Sequence, residues 1–134
     1  MCSSDLVTLL DDRGNQVTTT DLLGAPLVLY FYPKDDTPGC TSEASQFRDS
    51  YPLFQKKNAR IVGVSRDSVE SHQRFKEKYS IPFTLLADTD SKLYQALGVN
   101  ARSTFLIDET GRIVKTWPKV NVAEHAEDVL ESMA

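Results

Sequence analysis

Apolar positions along the chain recur at two spacings, and the spacings mark its elements. "VTLLDDRGNQVTT" (residues 7–19) predicts a short hairpin, with Asp-Arg-Gly-Asn as its turn. "DLLGAP" reads as a brief helical turn ended by Gly-Pro. "LVLYFY" (27–32) is continuously apolar, β-branched and aromatic, the pattern of a central strand covered on both faces, and Pro33 ends it. Residues 38–57 predict a helix with Phe47, Tyr51 and Phe54 on one buried face, and Pro52 is expected to kink or restart it. "RIVGVS" (60–65) is a second buried strand, and "SVESHQRFKEKY" a surface helix capped by Ser68. "FTLLAD" predicts a third strand, and "TDSKLYQALGV" a short helix closed by Gly98. "STFLID" and "RIVKTW" form a second hairpin around "ETG", and "VAEHAEDVLESM" a closing amphipathic helix.

Strand, helix, strand, helix, then a hairpin and a last helix is the order of a thioredoxin-like α/β sandwich. Flavodoxin-like folds share its first half. The late hairpin favours the thioredoxin order, because doubly wound folds keep adding parallel strands. With no repeat, low-complexity tract or linker, residues 1–134 are expected to form one domain.

Composition narrows the function classes. The chain is 40% hydrophobic and 25% charged, ordinary for a globular protein. A net charge of −4 and a pI near 5.1 argue against nucleic-acid binding. No apolar run approaches a membrane span, and the start lacks the pattern of a signal peptide, so a cytoplasmic setting is expected, with no membrane partner. Two cysteines, Cys2 and Cys40, make no disulfide framework. With His72 and His125 they make four candidate zinc ligands, but no two sit at ligand spacing, so no metal is expected.

Cys40 carries the chemical signal. Thr37 can cap a helix and Pro38 suits its first position, which puts Cys40 in the first turn. Unpaired N–H groups and the helix dipole favour a thiolate there. The inert alternative is a small buried apolar residue, as free cysteines often are.

The surrounding residues go further. "PKDDTPGC" has proline, three residues, threonine, two residues, cysteine, and it resembles the signature of peroxiredoxins, thiol peroxidases of the thioredoxin superfamily. "YFYPKDDTPGCTSEASQFRD", "GVSRDSVESHQRF" and "RSTFLIDETGRI" resemble, in order, the peroxiredoxin Q (bacterioferritin comigratory protein) branch. The resemblance implies a peroxiredoxin-type thioredoxin-like fold: α/β, a central mixed sheet flanked by helices, with an N-terminal hairpin. It implies Cys40 as peroxidatic nucleophile, Thr37 as hydroxyl partner of sulfur and peroxide, and Pro33 as a shield against water. Arg102 would hold the thiolate and the peroxide oxygens, and Glu43 would orient Arg102. Each has a plainer role open to it: Thr37 a cap, Pro33 a strand end, Arg102 a surface charge, Glu43 a dipole partner in the first turn. Thiolate formation alone accelerates little, because nucleophilicity falls with basicity. Most of the rate must come from positioning the O–O bond and stabilising the departing oxygen. The implied partners are a hydroperoxide and a reductant (thioredoxin, glutaredoxin or a small thiol), with no cofactor, in a monomer or weak homodimer.

Many relatives resolve the sulfenic acid with a cysteine five residues on, and others with one in the following helix. Those places hold Ser45 and Lys76. A natural one-cysteine enzyme, a serine replacing a resolving cysteine, and resolution by Cys2 all remain open. A dithiol oxidoreductase needs C-x-x-C, which "CTSE" lacks. A sensor that uses the same thiol without turnover is the other alternative.

Overall fold

The structure is a computed structural model and describes residues 8–18, 24–35, 37–96, 103–117 and 129. The first hairpin pairs β1 (Thr8–Asp11) with β2 (Gln16–Thr18). Its turn is closed by the Asp11 carboxylate, which accepts from the backbone of Arg13 and Asn15, and by Gly14 at φ +80°. Strand β3 (Leu27–Phe31) leads to helix α1 (Pro38–Lys56), then β4 (Arg60–Ser65), α2 (Val69–Tyr79), β5 (Thr84–Ala87) and α3 (Lys92–Ala96). A second hairpin, β6 (Ser103–Ile107) and β7 (Ile113–Trp117), follows.

The seven strands lie in one sheet, ordered β2-β1-β5-β4-β3-β6-β7. Neighbours β3, β4 and β5 run parallel; β1, β6 and β7 join antiparallel. The expected mixed sheet with its N-terminal hairpin is therefore present, and the two parallel crossovers are helices α1 and α2. Of the expected helical turn "DLLGAP" (21–26), residues 24–26 are described and form a bend before β3, while residues 21–23, the closure at Gly98 and most of the last helix lie outside the described residues.

Period-two alternation in β3 builds two cores. Val28, Tyr30 and Tyr32 face one side, with Cys40, Ala44, Phe47 and Phe54 of α1 and Phe75 of α2. Leu27, Leu29 and Phe31 face the other, with Val64, Leu86, Leu93 and Tyr94. This two-sided burial is why the strand reads as an unbroken apolar run. Tyr30 stacks on Phe47 with ring centres 4.9 Å apart, and Gly63 makes room for its ring. A Cβ at position 63 would meet the Tyr30 hydroxyl and Leu85 at 2.9 Å.

Helix α1 runs through Pro52 without ending, contrary to a restart there. Proline removes the N–H that would bond the Arg48 carbonyl. Buried Phe47 and Phe54, one on each side, hold the two halves in line against the sheet. Among the described residues, no helix is long and apolar enough to cross a membrane.

Candidate active site

Every described residue of the sequence motif lies between the end of β3 and the second turn of α1. Pro38 is the first helical residue, so Cys40 is the third. The first helical bond runs from the Thr41 N–H to the Thr37 carbonyl, at 2.8 Å. Cys40 is 1% exposed and packs among the aromatic residues below α1. The expected helix mouth is present, and the side chain there is buried beneath it.

Thr37 occupies the cap position, with extended backbone at φ −92° and ψ 155°, but its side chain does not cap. Its hydroxyl donates to the Lys34 carbonyl at 3.0 Å. With its proton committed there, the oxygen presents lone pairs, so it is oriented as an acceptor. Pro33 is exposed where the chain leaves the sheet. Glu43 is 1% exposed, one turn along the face that carries Cys40. It is the sixth helical residue, beyond the first turn, so the dipole role does not apply to it. Arg102 and Cys2 lie outside the described residues. Ser45 is half-buried on the same unbroken helix. Lys76 is committed to an ion pair with Asp12 at 3.0 Å.

The loop joining Tyr32 to Thr37 is fastened by contacts that the motif does not reveal. Asp35 is buried, and its carboxylate accepts from the Tyr32 hydroxyl at 2.6 Å and the Ser71 hydroxyl at 2.9 Å. The same carboxylate meets Nδ1 of His72 at 2.7 Å. The Asp35 N–H donates to Asp67 at 2.7 Å, and Ser65 donates to the same Asp67 oxygen. His72 is fully buried, and its Nε2 donates to the Leu86 carbonyl of β5 at 2.9 Å. Burial pushes the Tyr32 phenol well above its usual range, and Tyr30 and Asp35 add to this, so it stays a donor.

Tyr94 braces the neighbouring strand ends. Its hydroxyl contacts the Tyr32 and Val64 carbonyls at 2.9 and 3.2 Å. Burial again raises the phenol strongly; Arg66, 4.2 Å above the ring, opposes the shift, while Asp88, Asp67 and Cys40 add to it.

Sequence reasoning missed His72 and Asp35. One signal was available: His72, Phe75 and Tyr79 share a helical face, which the polar look of "SHQRFKEKY" disguises.

The family model described as AhpC/TSA matches residues 5–116. The chain is 45% identical to a putative peroxiredoxin Bcp of Coxiella burnetii, over 93% of this chain and 91% of that protein. It is 46% identical to peroxiredoxin Bcp of Bacillus subtilis, over 93% and 88%. Among solved structures, peroxiredoxin Q of Xylella fastidiosa superposes with a TM-score of 0.95 at 41% identity, covering 99% of this chain and 91% of that one. The bacterioferritin comigratory protein of Xanthomonas campestris, studied for alkyl peroxide reduction, gives 0.92 at 41% identity over 95% and 89%. The mixed sheet thus has its counterpart in proteins alike along nearly the whole chain, and the chain belongs to the AhpC/TSA family, in its Bcp (peroxiredoxin Q) branch of thiol-dependent peroxidases.

Proposed function

We propose that Cys40 is the thiol of this peroxidase that reacts with hydrogen peroxide and organic hydroperoxides. The observation that carries the reading is its place as third residue of α1, three positions after a threonine whose hydroxyl is turned away from capping. The thiolate sulfur attacks one peroxide oxygen in line and the O–O bond breaks. The leaving oxygen takes a proton and departs as water or alcohol, and Cys40 becomes a sulfenic acid. Two equivalents of external thiol then return Cys40 to its thiol, giving a disulfide and water.

Thr37, as an acceptor, holds the peroxide O–H and so aims the O–O bond at sulfur. Arg102 supplies the guanidinium donors that stabilise the departing oxygen, and Glu43 orients it. Pro33 covers the outer side of the site against water. Because Cys40 is buried, its sulfenic acid meets an external thiol only after the start of α1 opens. Thioredoxin, glutaredoxin or a small thiol serves as reductant in the cytoplasm, with a single-domain monomer or weak homodimer as the working unit.

Peroxide consumption by substoichiometric protein, with thioredoxin, glutaredoxin and glutathione tried in turn, is the test. Cys40→Ser should abolish consumption while the far-ultraviolet circular dichroism stays unchanged. If that variant keeps most of its turnover while Cys2→Ser loses it, the reacting thiol is not Cys40.

A further inference from the structure

Asp35 stands at one of the unspecified positions of the thiol motif and pairs with buried His72 far outside it, and neither residue enters the chemistry above. A carbonyl oxygen only accepts, so the contact with Leu86 places a hydrogen on Nε2 of His72. A carboxylate at 2.7 Å from Nδ1 then requires a second proton between those two atoms, since otherwise two lone pairs would face each other. The pair is thus a strong, directional link of the charge-assisted kind, held in a fully buried place. It joins α2, itself anchored to β5 through Leu86, to the middle of the loop that ends in Thr37 and Cys40.

Asp35 is two residues from Pro33 and two from Thr37. Its remaining partners, Tyr32 and Ser71, are neutral hydroxyls. Asp67 contacts only its backbone N–H. His72 therefore supplies the one ring nitrogen among the partners that hold the carboxylate fastening the loop, and it is bonded onward to the sheet through Leu86. We infer that His72 is a positioning residue for the peroxide reaction: through Asp35 it fixes the loop that places Thr37 and Pro33 over Cys40.

The inference rests on Cys40 as the reacting thiol, and the tests separate the two. In a Cys2→Ser background, two rate constants of the reduced protein are measured by loss of the remaining thiol. Hydrogen peroxide requires a positioned O–O bond. Iodoacetamide requires the thiolate and access to it, but no positioned O–O bond.

Glutamine at 72 places its amide near Nε2 and keeps the bond to Leu86, whereas asparagine places its amide near Nδ1 and keeps a donor to Asp35. His72→Gln should lower the peroxide rate constant tenfold or more and leave alkylation within threefold. His72→Asn should keep the peroxide rate constant within about threefold of the parent. If His72→Gln reacts with peroxide at the parent rate, or if both variants lose peroxide and alkylation rates in parallel, the assignment is wrong. Should His72→Gln fail to fold, Asp35→Asn carries the same test, and a parent-like peroxide rate in it overturns the inference. A Cys40→Ser protein that still consumes peroxide would instead refute the choice of thiol.

Discussion

Helices α1 and α2 begin alike and use their beginnings differently. Each follows a parallel strand, and each has a hydroxyl residue with extended backbone at its cap, Thr37 and Ser68. Ser68 turns its oxygen inward and accepts from the Ser71 N–H at 3.2 Å, and Glu70 adds a negative charge in the first turn. Thr37 turns its hydroxyl to Lys34, and the first turn of α1 holds no acid. A side-chain cap contributes about 1 kcal/mol and an acid in the first turn about 0.3–1 kcal/mol. The first turn of α1 goes without both and carries a thiol instead. The comparison teaches that the positive end of one helix is neutralised for stability, while that of the other is left without cap or acid beside a thiol.

The largest expected effect follows from making α1 open. Five residues along a helix separate Cα atoms by about 8.6 Å, beyond the roughly 7 Å a disulfide tolerates. Ser45→Cys, given one equivalent of peroxide, should form a disulfide with Cys40, lose helix signal and then turn over with thioredoxin. The parent chain should stop at sulfenic acid or overoxidise unless a small thiol intercepts it. Intact mass and thiol titration read the difference, and a monomeric disulfide in the parent chain would make Cys2 the resolver.

Exchanging the two hydroxyls for apolar groups sharpens the contrast. Thr37→Val should slow single-turnover peroxide reaction tenfold or more, yet cost at most about 1 kcal/mol of stability, one modest hydrogen bond. A rate constant equal to the parent's would return Thr37 to a purely local role. The smallest effect is expected from Ser68→Ala. It should lower stability by about 1 kcal/mol in urea unfolding, with the peroxide rate unchanged.

Legibility followed the range of the interactions. Strands β3 and β4 show in the sequence because burial on both faces leaves an unbroken apolar run. The Ser68 cap and the turn before Gln16 are readable because their hydrogen bonds span two to four residues. Cys40 and Thr37 stand in a compact motif, so their places on α1 were visible. The orientation of the Thr37 hydroxyl was not, because two acceptable partners lay within three residues of it. Asp35 and His72 are 37 positions apart, and Asp12 and Lys76 are 64. No local pattern pairs such residues; only the crossing of α2 over the sheet does. The continuity of α1 through Pro52 was equally hidden, since it depends on aromatic packing from other elements.

Pro52 also gives α1 an uneven stiffness. The hydrogen-bond ladder is cut at the Arg48 carbonyl, so unwinding that starts at Pro38 need not be transmitted to the last two turns. Those turns are moored by Phe54, while Phe47 sits at the junction. In mechanical terms α1 is two rods joined end to end, the first seated on the core by Cys40, Ala44 and Phe47 and the second by Phe54. The amide hydrogens before and after the junction are therefore expected to exchange through separate opening equilibria, which hydrogen exchange would read. An enzyme that must release its thiol in every cycle can then do so while the floor of its core stays closed.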